Sequence, residues 1–114
     1  MNRPFEDAWG HDPSVQSMRR VFSCMEEAQQ QLLMDLKISL FDQRLRLGRQ
    51  QALELFEQAW PLAIRKGIIA SEKDAVPVYL HCLAHGLKLA RIEVPNELLP
   101  QDEKIIRFLQ MERL

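Results

Sequence analysis

The first strong pattern in the chain is a stripe of apolar residues that follows a start rich in helix-breaking residues. Pro4, Gly10 and Pro13 interrupt any regular element, so we expect residues 1–13 to form an N-terminal arm, flexible or docked. The stripe begins after Ser14, a predicted N-cap, with alternating spacings of three and four that are typical of bundle helices and coiled coils. Its members are Val15, Met18, Phe22, Met25, Leu32 and Leu36, with Gln29 at the remaining step.

The stripe blurs between Lys37 and Phe41, where the apolar residues leave the buried side, and a turn is expected there. A single helix that continues to Gly48 remains the alternative. The second helix begins at Gln43 or at Arg49 and runs to Trp60. Because proline lacks an N–H group, we expect Pro61 to kink or restart this helix, and Gly67 to end its last turn in the left-handed conformation.

Two further helices follow a polar junction. Asp74 is the predicted N-cap of the third, which should run from Ala75 to about Arg91. The fourth helix should start between Pro100 and Asp102 and bury three apolar residues, Ile105, Phe108 and Leu109. No segment alternates with period two. The pattern therefore predicts an all-α fold, a small antiparallel bundle of four to five helices that forms one domain over residues 14–114.

Composition narrows the class of protein further. The 114 residues are 46% hydrophobic and 27% charged, with a net charge of −1, which is typical of one globular domain. This near-neutral balance disfavours nucleic acid as a partner. Neither a secretory signal nor a run of about 18 apolar residues is present, and Cys24 and Cys82 stand alone. We expect a cytoplasmic protein with no membrane partner, no disulfide and no cofactor.

The third helix carries the residues with the clearest chemical potential. His81 and His85 are four residues apart, a spacing that lets two imidazoles share a metal ion from one helix face. The metalloprotease motif needs a glutamate after the first histidine, where this chain has Cys82. Two ligands do not hold a structural zinc ion, so ordinary packing or surface histidines are the favoured interpretation, and metal binding is the alternative.

A second alternative rests on the basic residues Arg44, Arg46 and Arg49, which form a local patch able to contact phosphates. Because no recognition helix accompanies them, a solvated helix face is the simpler interpretation. The chain contains neither a glycine-rich phosphate loop nor a nucleophile elbow. We therefore expect a protein that is not an enzyme, with a metal-binding or DNA-contacting regulator as the alternative.

The favoured function is a non-enzymatic protein–protein interaction module, an adaptor, chaperone-like or regulatory helical protein whose partner is another protein or a second copy of itself in a homodimer. Three features support this hypothesis: the aromatic pair in the arm, the stripe of the first helix, and the apolar breadth of the third helix, which exceeds what one buried side requires. The residues expected to contact the partner are Phe5, Trp9, Met18, Phe22, Met25, Val78, Cys82 and Leu89.

Overall fold

A computed structural model describes residues 15–69 and 74–112, and in these two ranges the chain forms helices and turns without any β-strand. The helices are α1 (Val15–Asp35), α2 (Gln43–Arg65), α3 (Ala75–Leu89) and α4 (Glu103–Met111), with a 3₁₀ turn at Asn96–Leu98. The all-α prediction is confirmed. The predicted arm, residues 1–13, and the predicted cap Ser14 lie outside the described residues.

Two of the helices begin at an aspartate that caps their free amide groups. The Asp42 carboxylate accepts a hydrogen bond from the Arg44 amide at 2.9 Å, so α2 starts at the earlier of its two predicted positions. Asp102 caps α4 in the same way through the Lys104 amide at 3.0 Å. Local chemistry thus fixes both starts, and the alternative of a single helix through to Gly48 is wrong.

Of the two outcomes predicted for Pro61, a kink or a restart, the restart is wrong, because α2 continues through this residue to Arg65. A proline inside a helix removes one hydrogen bond and crowds the preceding turn. Here the residues on both sides are anchored, since Trp60 and Ala63 are completely buried in the core. Tertiary packing of the last turn therefore outweighs the local cost of the proline.

Three helices end in the same hydrogen-bonded pattern, in which a residue with positive φ turns the chain away. In α2 this residue is Gly67, at φ 70°, and the two amides that follow Lys66 bond back to Ile64 and Ala63. The ends of α1 and α3 repeat the pattern with Lys37 at φ 56° and Arg91 at φ 67°. The predicted cap at Gly67 is confirmed. At the other two helix ends the left-handed residue is a lysine or an arginine, residue types that do not predict this conformation from the sequence.

Helix α3 is the central element of the bundle. It packs against both α1 and α2, most extensively against α2. Gly86 of α3 lies against Gly48 of α2, and Tyr79 meets Phe56 edge to face at 5.6 Å, so the two helices run antiparallel. The predicted burial of Ile105, Phe108 and Leu109 on α4 is confirmed. Within the described ranges, no helix combines the length and the apolar character needed to cross a bilayer.

Candidate functional site

An open cleft of about 1050 Å³ lies beside the central helix. Its walls come from α3, from α4, and from the segment that joins them. Asp35 and Leu36 at the end of α1, together with Leu55 of α2, complete the lining. The apolar lining includes Leu99, Ile106 and Leu109, whereas the charged groups are Asp35, Lys88 and Glu93. The cleft thus combines apolar surface with one cation and two carboxylates.

Both histidines of the third helix line this cleft, and both are partly buried. Their spacing of four residues places them on the same face of the helix. The Nε2 atom of His81 lies 2.9 Å from the carbonyl oxygen of Pro100. Because a carbonyl oxygen only accepts, Nε2 carries the proton and donates it. His81 therefore ties the segment before α4 to α3, and this nitrogen is engaged in the fold.

The cleft also tests the metal-binding hypothesis. Across residues 15–69 and 74–112, no three His, Cys, Asp or Glu side chains are grouped so that they could hold a metal ion. Cys82, which follows His81 and lines the same cleft, is almost completely buried. Burial raises the pKa of its thiol to about 12, so the thiolate that a metal ion would need is harder to form here than at an exposed cysteine.

The two cysteines should therefore react at very different rates with a thiol-specific reagent such as a disulfide of thionitrobenzoate. At pH 8 we expect the exposed Cys24 to react at once and the buried Cys82 only when the protein unfolds. The measurement is absorbance against time in buffer and then in denaturant. In Cys24→Ser the fast phase should disappear and the slow one remain. Two fast thiols in the folded protein would contradict the burial of Cys82.

The predicted basic patch loses much of its free charge to neighbours within the chain. The Arg44 guanidinium donates to both carboxylate oxygens of Asp42, at 3.1 and 2.7 Å. This hydrogen bonding lowers the pKa of Asp42 and raises that of Arg44, although both groups are in contact with solvent. Arg46 remains exposed on α2. The helix start therefore uses Arg44 in an ion pair, which weakens the patch as a phosphate site.

Arg49 is engaged in a network that joins three helices. Gln29 of α1 is buried between Arg49 of α2 and Tyr79 of α3. In the amide orientation that satisfies both neighbours, Gln29 donates to the Tyr79 hydroxyl at 2.5 Å and accepts from Arg49 at 3.1 and 3.3 Å. Burial raises the pKa of Tyr79 to about 12. The third arginine of the patch thus satisfies a buried amide.

The expected partner-binding residues divide into three groups. Met25, Val78 and Cys82 are buried in the protomer's own core, so their prediction as surface contacts is wrong. On α1 the buried stripe includes Val21, while its neighbour Phe22 is 38% exposed. Leu89, at the end of α3, is 58% exposed. Phe5 and Trp9, as well as the side chain of Met18, lie outside the described residues.

Among the side chains that the structure describes, the most exposed apolar ones lie in the turn between α1 and α2, where the sequence pattern blurred. Leu40 is 74% and Phe41 94% exposed. We call this pair the apolar tip. Its position is fixed on both sides, because Ile38 packs against the core and Leu45 is buried within it. The signal in the sequence was an aromatic residue off the helical stripe immediately before the capping Asp42.

Hydrogen bonds hold the backbone of the apolar tip in place. The Ser39 hydroxyl accepts from the Phe41 amide at 3.2 Å, and the Ser39 carbonyl oxygen accepts from the Asp42 amide at 3.1 Å. Asp42 then caps α2. The two apolar side chains are therefore exposed on a turn whose backbone is ordered by hydrogen bonds.

Comparison of the chain with known protein families, with curated proteins and with solved structures finds no match.

Proposed function

We propose that this chain is a non-enzymatic protein-binding module that self-associates through its apolar tip. The observation that carries the proposal is the exposure of Phe41, the largest apolar side chain of the tip, on a turn held by backbone hydrogen bonds. Single exposed apolar residues are common on protein surfaces. Two adjacent ones on a fixed convex turn are a feature of interaction sites, where an anchor residue enters a pocket of the partner.

The surroundings of the apolar tip support a folded partner. Lys37, Arg44 and Arg46 lie on either side of it, against the single carboxylate of Asp42. Charged residues that surround an apolar anchor give orientation and specificity to a protein contact. The buried third helix no longer supplies the surface expected from its apolar breadth, so the tip is the feature that supports the interaction hypothesis.

Self-association is tested by sedimentation equilibrium of the full chain over a wide range of concentration. We expect the average mass to rise from that of the monomer toward twice that value. The association should weaken little with added salt, because burial of apolar side chains and not ion pairing provides most of its free energy. A mass that stays at the monomer value up to the highest soluble concentration would refute self-association.

A further inference from the structure

We propose that the receptor of the apolar tip is the open cleft of a second copy of the chain, so that two copies insert Leu40 and Phe41 into each other's clefts. This inference rests on the proposed self-association and specifies its geometry. The tip is convex and the cleft is concave. At about 1050 Å³, the cleft is of the size that takes drug-sized molecules, and two apolar side chains fit within it.

The two surfaces are also complementary in chemistry. Leu55, Leu99 and Ile106 offer the cleft's apolar lining to the two apolar side chains of the tip. The tip is flanked by three cations and one carboxylate, whereas the charged lining of the cleft is one cation and two carboxylates. The basic tip of one copy and the more acidic cleft of another therefore attract each other.

The position of the two surfaces on one copy allows a closed dimer. Leu36 lines the cleft, and Phe41 lies five residues further along the chain. Because an extended chain spans at most about 3.6 Å per residue, the tip and the edge of the cleft are within about 18 Å of each other. A twofold axis that passes between two such neighbouring surfaces pairs each tip with the opposite cleft, and the assembly closes at two copies.

Two kinds of variant separate the halves of the contact. Phe41→Ser removes the anchor and leaves the cleft intact, while Ala84→Trp fills the cleft from α3 and leaves the tip intact. We expect each to raise the dimer dissociation constant at least tenfold. Leu98→Lys, at an exposed position of the cleft lining, is a second cleft variant that serves if Ala84→Trp does not fold. Met111→Ser is the matched control, since Met111 is 73% exposed and belongs to neither surface.

The decisive experiment is complementation between the two variants, each labelled with a different fluorophore and followed by energy transfer. Phe41→Ser supplies an intact cleft and Ala84→Trp an intact tip, so their equimolar mixture should form heterodimers although each variant alone is mainly monomeric. The mixture should associate more weakly than the wild type, because only one of its two tip–cleft contacts is intact.

The outcomes distinguish this inference from the proposed function. A wild-type chain that dimerises while the cleft variants dimerise equally well, for example through contact between two tips, would overturn the inference and leave self-association standing. Unchanged dimerisation of Phe41→Ser would overturn the inference and also the assignment of self-association to the apolar tip, and would leave only self-association through another surface. A wild-type chain that remains monomeric would overturn both, and retention of that monomer on anionic lipid vesicles through Phe41 would assign the tip to a membrane surface instead.

Discussion

Replacing Gly86 by alanine is expected to lower the free energy of unfolding by about 3 kcal/mol or more. Gly86 lies where α3 crosses α2, and a Cβ atom built on it would overlap the carbonyl oxygen of Gly48 and approach the amide nitrogen of Ala52 to 2.8 Å. Both are backbone atoms, so relief requires the two helices to move apart. The measurement is denaturant unfolding followed by circular dichroism at a fixed protein concentration.

The sign of this effect is the informative part. In an ordinary helix interior, alanine is favoured over glycine by about 1 kcal/mol, so without the close approach the substitution would stabilise the protein. Gly48→Ala should be milder, because its nearest obstacle is the flexible end of the Leu87 side chain at 2.9 Å. Lys88→Ala, two residues further on the same helix and exposed, is the neutral control. A stabilised Gly86→Ala protein would contradict the crossing geometry.

Removing the Tyr79 hydroxyl in Tyr79→Phe is expected to cost about 1 to 3 kcal/mol, because the buried Gln29 amide then lacks its acceptor. Gln29→Leu should also destabilise the protein, since it deprives the hydroxyl of its partner. The loss of unfolding free energy in the double variant should be about 1 kcal/mol smaller than the sum of the two single losses. The reason is that replacing both groups leaves neither of them buried without its partner. Strict additivity in this cycle would mean that the two groups do not interact.

The same variant has a second readout in alkaline solution. The pKa of Tyr79 is about 12 in the folded protein, against an ordinary 10. The folded state therefore holds this proton more tightly, and the resulting stability is present below pH 10 and is lost as the pH rises toward 12. Tyr79→Phe should show a smaller loss over this window. Cys82, whose pKa is also raised to about 12, titrates in both proteins, and its charge contributes to the raised pKa of Tyr79.

The proposed contact between apolar tip and cleft changes how the surface of this protein is understood. The apolar breadth of α3 first indicated a partner surface. Val78 and Cys82, however, are buried in the core of the protomer and are not available to a partner. What remains available are side chains that helical periodicity excluded from the core, above all Phe41.

The candidate site could be predicted only in part. The spacing of His81 and His85 placed both on one face, and both do line the cleft. The cleft itself depends on how α4 and its preceding segment lie across α3, which no local pattern encodes. Likewise, Arg49 was predicted as a surface cation and is exposed, but its contact with the buried Gln29 of α1 depends on how the helices are placed in the bundle. Spacing along one helix cannot reveal partners that arrive from another.

The sequence by itself determined the type of the elements, the start of α4 near Asp102 and the left-handed end at Gly67, and it left the start of α2 open between two positions. These follow from periodicity, capping and backbone freedom, which act over a few residues. Only the tertiary structure decided that α2 passes through Pro61, that Lys37 and Arg91 take the left-handed conformation, and which face of α3 is enclosed. Each of these has a local cost or a local ambiguity that is resolved by the free energy of burying side chains between helices far apart in the chain.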